Sequence, residues 1–309
     1  MNTCRPSLYL DGFSATGVRG LRAEIELGIR TVMVERSRKS FDMLQRNVEK
    51  NHSESEIYND TFESIVSKFR FDFIDIDPYG DVVPYVDIAL HYIRNRGFIG
   101  FTATDLSVLT GSLKDHTFRR YGSVVMNSAL RHEMGIRNLI GFIGRRAINL
   151  ERGIDVRISA YHGHFYRVIV QVNKGSEEAQ ETMDNIGYFN PYTELSNVYE
   201  NFPYGPIWTG KIENLFSDCE LVIPSGVDEK HAEVFRNLRH EDRGLFFVDI
   251  GEIFSRKKIN LPSVKHAMEY LNENGMESQR THFSHTGIKV LDQKIASEEL
   301  LEKFRSNTR

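Results

Sequence analysis

Three acidic residues and one turn motif are the parts of this sequence whose types and spacing could do chemistry. Asp11 and Glu35 each follow a short apolar run, and Asp60 ends the short, strand-like stretch at 57–60. A fourth run, FDFIDIDPYG (71–80), ends on an Asp-Pro-Tyr-Gly turn at 77–80. Carboxylates at successive strand ends accept hydrogen bonds from the hydroxyl and amino groups of a nucleoside, so the pattern indicates a nucleotide-like cofactor beside a reacting group.

A turn rich in small residues, DGFSATG (11–17), follows the first apolar run. Small residues let the backbone approach a ligand closely, and the start of the following helix offers free N–H groups. The turn has neither the G-x-G-x-x-G spacing of dinucleotide sites nor the spacing of phosphate loops. With Glu35 placed 24 residues after Asp11 and Asp60 ending the next strand, it favours S-adenosylmethionine. A dinucleotide oxidoreductase remains the alternative.

The Asp-Pro-Tyr-Gly turn predicts a catalytic carboxylate. Proline restricts the preceding residue to extended backbone and has no N–H, so Asp77 and the Pro78 carbonyl present acceptors. Tyr79 can stack on a planar base. Acceptors that hold an exocyclic amine orient it and take its proton during methyl transfer. One carboxylate can accept both N1–H and the 2-amino group of guanine, which favours guanine; adenine and a plain strand-to-turn exit remain open.

Alternating strand and helix patterns place these residues on an α/β fold. The patterns predict helices at 18–27, up to about 50, 61–69, 84–92 and within 121–150, and strands near 7–11, 31–34, 57–60, 71–77, 96–102, 156–161 and 165–172. This alternation predicts a doubly wound, Rossmann-like sheet, with the last two strands as a two-stranded end. Residues 173–185 are predicted to form a loop. The amino-acid composition changes near residues 204–210, which predicts two domains, 1–212 and a smaller α/β domain at 213–309.

Composition limits the class of protein. The chain has 309 residues, a net charge of −4 and two distant cysteines, Cys4 and Cys219. It shows no apolar run of membrane-spanning length and no signal peptide, so we predict a cytosolic protein without membrane contact. The segment 114–157 holds nine Lys or Arg and four acidic residues, which indicates a basic face for nucleic acid or, alternatively, ordinary solvated helices. His132-Glu133 lacks the H-E-x-x-H spacing of a zinc site and is interpreted as a helix-surface pair; no metal site is predicted.

The motifs together resemble those of the tRNA (guanine-26, N2)-dimethyltransferases of archaea and eukaryotes. The resemblance follows the chain from about residue 10 to residue 289. It rests on SATGVRGLR (14–22), DIDPYG (75–80), GFIGFTATD (97–105), HEMGIRNLIGFIGRRA (132–147), HFYRVIVQV (164–172), GPIWTG (205–210) and RTHFSHTGIK (280–289).

The resemblance implies a class I S-adenosylmethionine-dependent methyltransferase fold with a family-specific C-terminal domain that contacts tRNA. It implies transfer of one and then a second methyl group to the 2-amino group of guanine 26, with Asp77, Pro78 and Tyr79 as catalytic residues. The implied cofactor contacts are Asp11, Ser14, Thr16, Gly17, Arg19, Arg22, Glu35, Asp60 and Thr61. The implied tRNA contacts are Arg119, Arg120, Arg145, Arg146, Arg280 and Lys289. No obligatory protein partner is expected.

Two departures from the family pattern bear on these expectations. Members usually carry a segment before the first strand that helps to close the cofactor site, whereas this chain opens almost directly on that strand, so we expect weaker cofactor binding. Many relatives also have a four-cysteine zinc site, which this sequence lacks. The alternatives are an amino methyltransferase acting on another guanine or adenine, and a non-catalytic RNA-binding relative.

Overall fold

A computed structural model describes residues 6–189, 204–212 and 244–305, together with the single positions 229, 232, 236 and 238. The chain divides into two compact units whose segments alternate along the sequence. The first unit comprises Met1–Asp105, Phe142–Arg157 and His164–Asp184. The second unit comprises Leu106–Gly141, Ile158–Gly163 and Asn185–Arg309.

The first unit is built on alternating strands and helices. Its leading elements are β1 (Leu8–Asp11), α1 (Val18–Leu27), β2 (Arg30–Val34), α2 (Arg38–Lys50), β3 (Glu56–Tyr58), α3 (Phe62–Val66), β4 (Phe73–Ile76), α4 (Val83–Tyr92) and β5 (Gly97–Ala103). Later segments add the end of α7 (Arg131–Ile148), most of β6 (Arg152–His162), β7 (Phe165–Lys174) and α8 (Ser176–Asp184).

Seven strands form one sheet in the order β3-β2-β1-β4-β5-β7-β6. The pairs from β3 to β5 are parallel, and β7 runs antiparallel to β5. The chain order reverses between β1 and β4, which makes their carboxyl ends the switch point where ligands bind in open α/β sheets. The α/β fold and the two-stranded end predicted from the sequence are both confirmed.

Local sequence explains where the helices around this edge begin. Ser37 and Thr61 have extended backbone, and their hydroxyls accept hydrogen bonds from the N–H groups of Ser40 and Ser64, so they cap α2 and α3. Gly28 ends α1 in the left-handed conformation, where a glycine has no Cβ to clash. These caps set the lengths of the loops that leave the strand ends.

The second unit has its own strands, helices and core. Its elements are α5 (Leu106–Leu109), α6 (Lys114–Tyr121), the start of α7, β8 (Ile186–Phe189), β9 (Tyr204–Trp208), β10 (Val248–Asp249), α9 (Ile250–Lys257), α10 (Val264–Glu273), β11 (Gln279–Arg280), β12 (Gly287–Lys289) and α11 (Gln293–Arg305). β8 pairs with β9, and the remaining strands form a sheet in the order β10-β12-β11. Apolar residues of this sheet and of α9, α10 and α11 pack into one core that includes Phe254, Leu271 and Leu300.

The loop predicted for residues 173–185 is wrong, because Ser176–Asp184 forms helix α8. Its acidic residues Glu177 and Glu178 lie in the first turn, where they complement the positive end of the helix dipole. Ala179 and Thr182 are buried on one side. The hydroxyl of Thr182 also accepts a hydrogen bond from the N–H of Ile154 at 2.8 Å, so tertiary contacts hold a segment that reads as polar in sequence.

Within the part of the chain that the structure describes, every helix is too short or too polar to cross a membrane.

Candidate active site

The 11–17 turn is tied to the two strands that flank β1. The Ser14 hydroxyl donates to the Asp11 carbonyl at 2.8 Å and accepts from the N–H of Val34 in β2 at 2.9 Å. The Gly12 N–H donates to the Asp75 carbonyl of β4 at 3.0 Å. Gly17 ends the turn at φ +82°, where a side chain is strained and a Cβ would lie 2.4 Å from Leu44. Ser14 and Gly17 therefore shape the turn from inside.

Two of the three predicted strand-end acids border one small cavity. A cavity of about 90 Å³ lies beyond β1 and β2, and Glu35, Asp60 and Thr61 are among its lining residues. The lining residues Phe13, Phe62 and Tyr85 also pack ring against ring, with centroid distances of 4.8–5.8 Å. The cavity is thus aromatic on one side and carboxylate-lined on the other.

The carboxylates at this cavity keep room for a ligand although they already hold the backbone. Glu35 accepts from the N–H groups of Ala15 at 2.9 Å and Ser37 at 2.6 Å, one on each oxygen. Asp60 accepts from the N–H of Thr61 at 2.8 Å, and hydrogen bonds from Ser64 and Thr61 lower the pKa of Asp60. A carboxylate has about four acceptor positions, so both acids can accept further hydrogen bonds.

Asp11 is not brought to this cavity, contrary to the grouping predicted from the three strand ends. Its side chain is 2% exposed and accepts from the N–H of Gly20 in α1 at 3.2 Å. Burial, with repulsion from Asp75, raises the pKa of Asp11 from 3.8 to about 7. The residue faces the interior behind the turn, so a direct contact with a cofactor from its carboxylate does not fit this structure.

Thr16 and the two arginines of α1 that were predicted to contact the cofactor have different surroundings. Thr16 is exposed, and its carbonyl accepts from Asn47 at 2.8 Å. Arg19 leaves the first turn of α1 toward β4 and pairs with Asp75 at 3.2 Å and with Asp77. The Arg22 guanidinium instead pairs with Glu26 on the exposed face of α1, at 2.7 Å. Of the two arginines predicted to approach the cofactor, the structure directs Arg19 to the carboxyl end of the sheet.

The Asp-Pro-Tyr-Gly turn projects from the end of β4 next to β1. Asp77 is partly exposed, Pro78 is buried and the Tyr79 ring is fully exposed. Gly80 has φ +106°, which a glycine adopts without strain, and its N–H donates to the Thr104 hydroxyl at 2.9 Å. The N–H of Thr104 donates back to the Gly80 carbonyl at 3.0 Å. The end of β5 therefore fixes the exit of the turn and leaves Tyr79 free to meet a ligand.

Sequence reasoning missed a buried carboxylate behind this turn. Asp75 is 2% exposed and accepts from Tyr9, Arg19 and Arg167 at 3.2, 3.2 and 2.6 Å. Arg167 lies on β7 and also donates to the Thr102 hydroxyl at 2.9 Å. The available signal was an acid inside an apolar strand, since a buried carboxylate requires a partner that only the fold reveals.

The arginines predicted to contact RNA differ in accessibility. Arg119 and Arg120 are exposed at the end of α6, and Arg280 is exposed on β11. Arg145 and Arg146 are half-buried on α7, where Arg146 forms a two-point ion pair with Asp87.

Lys289 corrects the predicted RNA surface because it is fully buried. Its Nζ donates to Glu133 Oε1 at 2.8 Å and to the Gly244 carbonyl at 3.3 Å, so it cannot meet tRNA directly in this structure. Glu133 is itself fully buried, which also overturns the interpretation of His132-Glu133 as a surface pair.

Two cations of the basic segment 114–157 are buried as well. Arg137 is 2% exposed and pairs with Glu133, and Arg152 donates to the carbonyls of Ile93 and His91. Among the described residues, no three His, Cys, Asp or Glu side chains come together as a metal site requires.

Strand order and the ligand edge define the class of this protein. A seven-stranded sheet with one antiparallel strand, bearing its polar residues at the β1/β4 switch point, is the class I S-adenosylmethionine-dependent methyltransferase fold. Residues 2–298 match the family model "N2,N2-dimethylguanosine tRNA methyltransferase", and the chain belongs to this family.

Relatives and a solved structure agree with this membership. The chain is 40% identical over 281 residues to the tRNA (guanine(26)-N(2))-dimethyltransferase of Thermoplasma volcanium, covering 91% of this chain and 80% of the relative. It is 39% identical over 299 residues to that of Thermoplasma acidophilum, covering 97% and 83%. Its fold is similar to Trm1 from Pyrococcus horikoshii solved with S-adenosyl-L-methionine, with a TM-score of 0.82, 29% identity and coverage of 96% and 88%.

Proposed function

We propose that this protein transfers methyl groups from S-adenosylmethionine to the 2-amino group of guanine 26 in tRNA, first once and then again. The observation that carries the proposal is the position of Asp77 and Tyr79. They leave the end of β4 directly beside β1, whose turn borders the carboxylate-lined cavity. A base acceptor and a stacking ring are thereby next to a nucleoside-type site.

The described residues fit the adenosine part of S-adenosylmethionine. Glu35 can accept from ribose hydroxyls and Asp60 from the adenine amino group, while Phe13, Phe62 and Tyr85 supply flat apolar surface. Thr61 lines the same cavity, Thr16 is exposed in the 11–17 turn, and Arg19 adds a positive charge at the carboxyl end of the sheet. When bound, S-adenosylmethionine supplies a methyl group on a positively charged sulfur, which keeps the bonding electron pair as the guanine nitrogen takes the methyl carbon.

Asp77 provides the acceptor that the guanine amine needs. The lone pair of this amine is delocalised into the ring, so the amine is a weak nucleophile until its N–H groups are held. One Asp77 oxygen accepts from the 2-amino group and takes the proton that leaves as the new C–N bond forms. The other oxygen accepts from N1–H and fixes the orientation of the base.

Tyr79 supplies a platform for the base. Its ring is fully exposed at the turn, and stacking of a base on such a ring contributes about 1–3 kcal/mol to binding. The Gly80–Thr104 hydrogen bonds hold the turn, so the ring is presented from a fixed backbone.

The same arrangement supports a second transfer and then ends it. After one methylation the guanine amine still has one N–H, which Asp77 can accept again. After two methylations no N–H remains, so the carboxylate loses its hydrogen bond and the product is held less well. The chemistry of one acceptor therefore predicts dimethylguanosine as the end product.

The tRNA surface is part of the same proposal. Arg119 and Arg120 at the end of α6 and Arg280 on β11 are exposed cations that suit phosphate contacts. We assign tRNA contact to the second unit on this basis, including the family-specific segment 213–309. The cytosolic location follows from the same proposed substrate.

The experiment is methyl transfer from labelled S-adenosylmethionine to unmodified tRNA, followed by digestion to nucleosides. We expect N2-methylguanosine first and N2,N2-dimethylguanosine later, and no product on a tRNA with adenosine at position 26. N6-methyladenosine or methylation at another guanine would contradict the proposal.

Variants at Asp77 test its role within this reaction. Asp77→Asn keeps the shape of the side chain but cannot take the proton, so transfer should fall about 100- to 10,000-fold while S-adenosylmethionine binding persists. Asp42→Asn is the matched control, because Asp42 is a partly exposed acid on α2 that pairs with Arg38 at 3.0 Å. An equal loss of cofactor binding in Asp77→Asn would show that Asp77 serves the cofactor instead.

A further inference from the structure

The buried carboxylate behind the Asp-Pro-Tyr-Gly turn receives its counter-charge from two strands away. Strand β5 lies between β4, which carries Asp75, and β7, which carries Arg167. In the register of the sheet, Asp75 is opposite Gly100, and Thr102 is opposite Arg167. The Arg167 side chain therefore crosses β5 to reach Asp75 Oδ1 at 2.6 Å, and it donates to the Thr102 hydroxyl on the way.

Gly100 makes this crossing possible. A Cβ at this position would lie 2.6 Å from Arg167 Nη2 and 3.0 Å from Asp75 Oδ1. The first distance is shorter than real Cβ contacts show, so any side chain would displace the guanidinium. The backbone of Gly100 has the ordinary extended conformation of β5. A glycine is therefore needed here because its missing side chain leaves room for the Arg167 guanidinium.

Arg19 completes a chain of charges that leads out to the candidate catalytic acid. One Arg19 nitrogen pairs with Asp75 and another with Asp77. The Asp75 side chain is 2% exposed, whereas the Arg19 and Asp77 side chains beyond it are 44% and 24% exposed. Two carboxylates and two guanidinium groups thus balance across three strands and the start of α1.

The balance depends on Arg167. A buried carboxylate without a counter-charge is strongly unfavourable, whereas a partly exposed one is hydrated. With Arg167 present, Asp75 is already paired, and Arg19 can be shared with Asp77. Without Arg167, Asp75 would draw Arg19 inward, because losing a counter-charge costs more free energy for the buried Asp75 than for the partly exposed Asp77.

We propose that Arg167 is a positioning residue that, through Asp75, holds Arg19 and thereby sets the Asp77 carboxylate for methyl transfer. This inference deepens the function proposed above and rests on it. Arg167 itself does not touch the reacting atoms, since its guanidinium lies on Asp75 and Thr102.

The kinetic test compares four variants in the tRNA methylation assay. Arg167→Ala should lower kcat about 10- to 100-fold, the cost of a misplaced catalytic group, with the KM for tRNA little changed. Arg167→Lys keeps the charge and should recover part of the rate. Gly100→Ala should reproduce the loss without removing any charge. The double variant Asp75→Asn/Arg167→Ala should be about tenfold faster than Arg167→Ala, because Arg19 is no longer drawn inward.

The rescue is measured as kcat per folded molecule, because Asp75→Asn also removes the unpaired buried charge and so restores stability under a purely structural role. A purely structural role changes the folded fraction and leaves kcat per folded molecule equal in all variants. Arg94→Ala is the matched control, because Arg94 pairs with Asp72 at 2.9 Å at the opposite end of β4, and its kcat should equal that of the wild type. A wild-type kcat in Arg167→Ala, or no rescue in the double variant, would overturn the inference.

A crystal structure of Arg167→Ala tests the inference even if the wild type methylates no tRNA. Arg19 should leave Asp77 and pair with Asp75 alone. An Arg19 that still bridges both acids would overturn the positioning role, whereas an inactive wild type would count against the proposed function only. Should Arg167→Ala fail to fold, the structure of Gly100→Ala answers the same question.

Discussion

The two units of this protein each contain a buried acid held by two cations, but the clusters differ in how far they reach toward solvent. In the second unit, Glu133 Oε1 accepts from Arg137 and Lys289, and these three side chains are 0%, 2% and 0% exposed. In the first unit, Asp75 pairs with Arg167 and Arg19, and the Arg19 side chain is 44% exposed. We call the group around Glu133 the sealed cluster and the group around Asp75 the open cluster.

The side chains of the sealed cluster form their hydrogen bonds with the backbone of neighbouring elements. Arg137 also donates to the carbonyls of Trp208 and Gly210 at 3.2 and 2.9 Å, and the Phe246 N–H donates to Glu133 at 2.9 Å. These contacts join α7, β9 and β12 of the second unit. The open cluster ends instead on groups that a ligand can reach. The enclosed ions therefore hold the fold together, whereas the open cluster leaves one end accessible, as the proposed role of Asp77 requires.

The largest effect on the free energy of unfolding is expected from Glu133→Ala in the sealed cluster. The substitution leaves Arg137 and Lys289 buried without their acid, which should cost about 3–5 kcal/mol. Urea denaturation of the full chain measures the loss. The matched control is Glu269→Ala, whose acid pairs with Lys265 on the exposed face of α10 and should contribute about 0.5 kcal/mol or less. Equal losses in the two variants would remove the distinction between enclosed and exposed ions.

A smaller, pH-dependent effect is expected at Asp11, which lies behind the open cluster. Because its pKa is about 7 in the folded protein and 3.8 is its ordinary value, the folded state binds more protons than the unfolded state between these values. Wild-type stability should therefore fall as pH rises through this window, relative to Asp11→Asn, by on the order of 2 kcal/mol. Denaturation of both proteins at about pH 5 and about pH 8 measures the change. A difference that does not vary with pH would show that Asp11 ionises normally.

Arg19→Ala should separate activity from stability. Its partly exposed ion pairs should contribute about 1 kcal/mol or less to folding, whereas methyl transfer should fall about 100-fold because Asp77 loses its positioning partner. Denaturation and kcat measured on one preparation give both numbers. A loss of stability as large as that of Glu133→Ala would mean that the open cluster is structural too.

The smallest effect on stability is expected outside both clusters, at Arg119 and Arg120. Replacing both with Ala should change the free energy of unfolding by about 0.5 kcal/mol or less, as for other exposed residues. It should weaken tRNA binding and reduce the slope of log affinity against log salt by about two. Binding measured across salt concentrations tests this, and an unchanged slope would place the phosphate contacts elsewhere.

Much of the first unit was predictable because its strands, helix caps and turns are each determined by residues close together in sequence. Strands β1, β2, β4 and β5 are short, largely apolar runs, and the loops after β2 and β3 carry their own cap residues, Ser37 and Thr61. The chemistry proposed for the Asp-Pro-Tyr-Gly turn likewise depends on residues that are adjacent in sequence. For these features, neighbours in sequence are also neighbours in space.

The missed features depend on partners far away in the chain. Lys289 reads as a surface cation until Glu133, 156 residues earlier, is seen to accept from it. Asp75 reads as part of a strand until Arg167, 92 residues later, reaches it across β5. The polar segment that forms α8 depends in the same way on contacts of Ala179 and Thr182. Sequence patterns report periodicity and composition, but not which distant charges will meet.

The space above Gly100 also constrains the order in which this protein can change. While Arg167 is present, a methyl group at Gly100 collides with its guanidinium. Once Arg167 has been replaced by a short side chain, the shortest contact is gone and only the 3.0 Å contact with Asp75 Oδ1 remains, so the same change at Gly100 should cost less. The two positions are therefore expected to be epistatic: each change alone should lower kcat, whereas the second change should add less than it does alone.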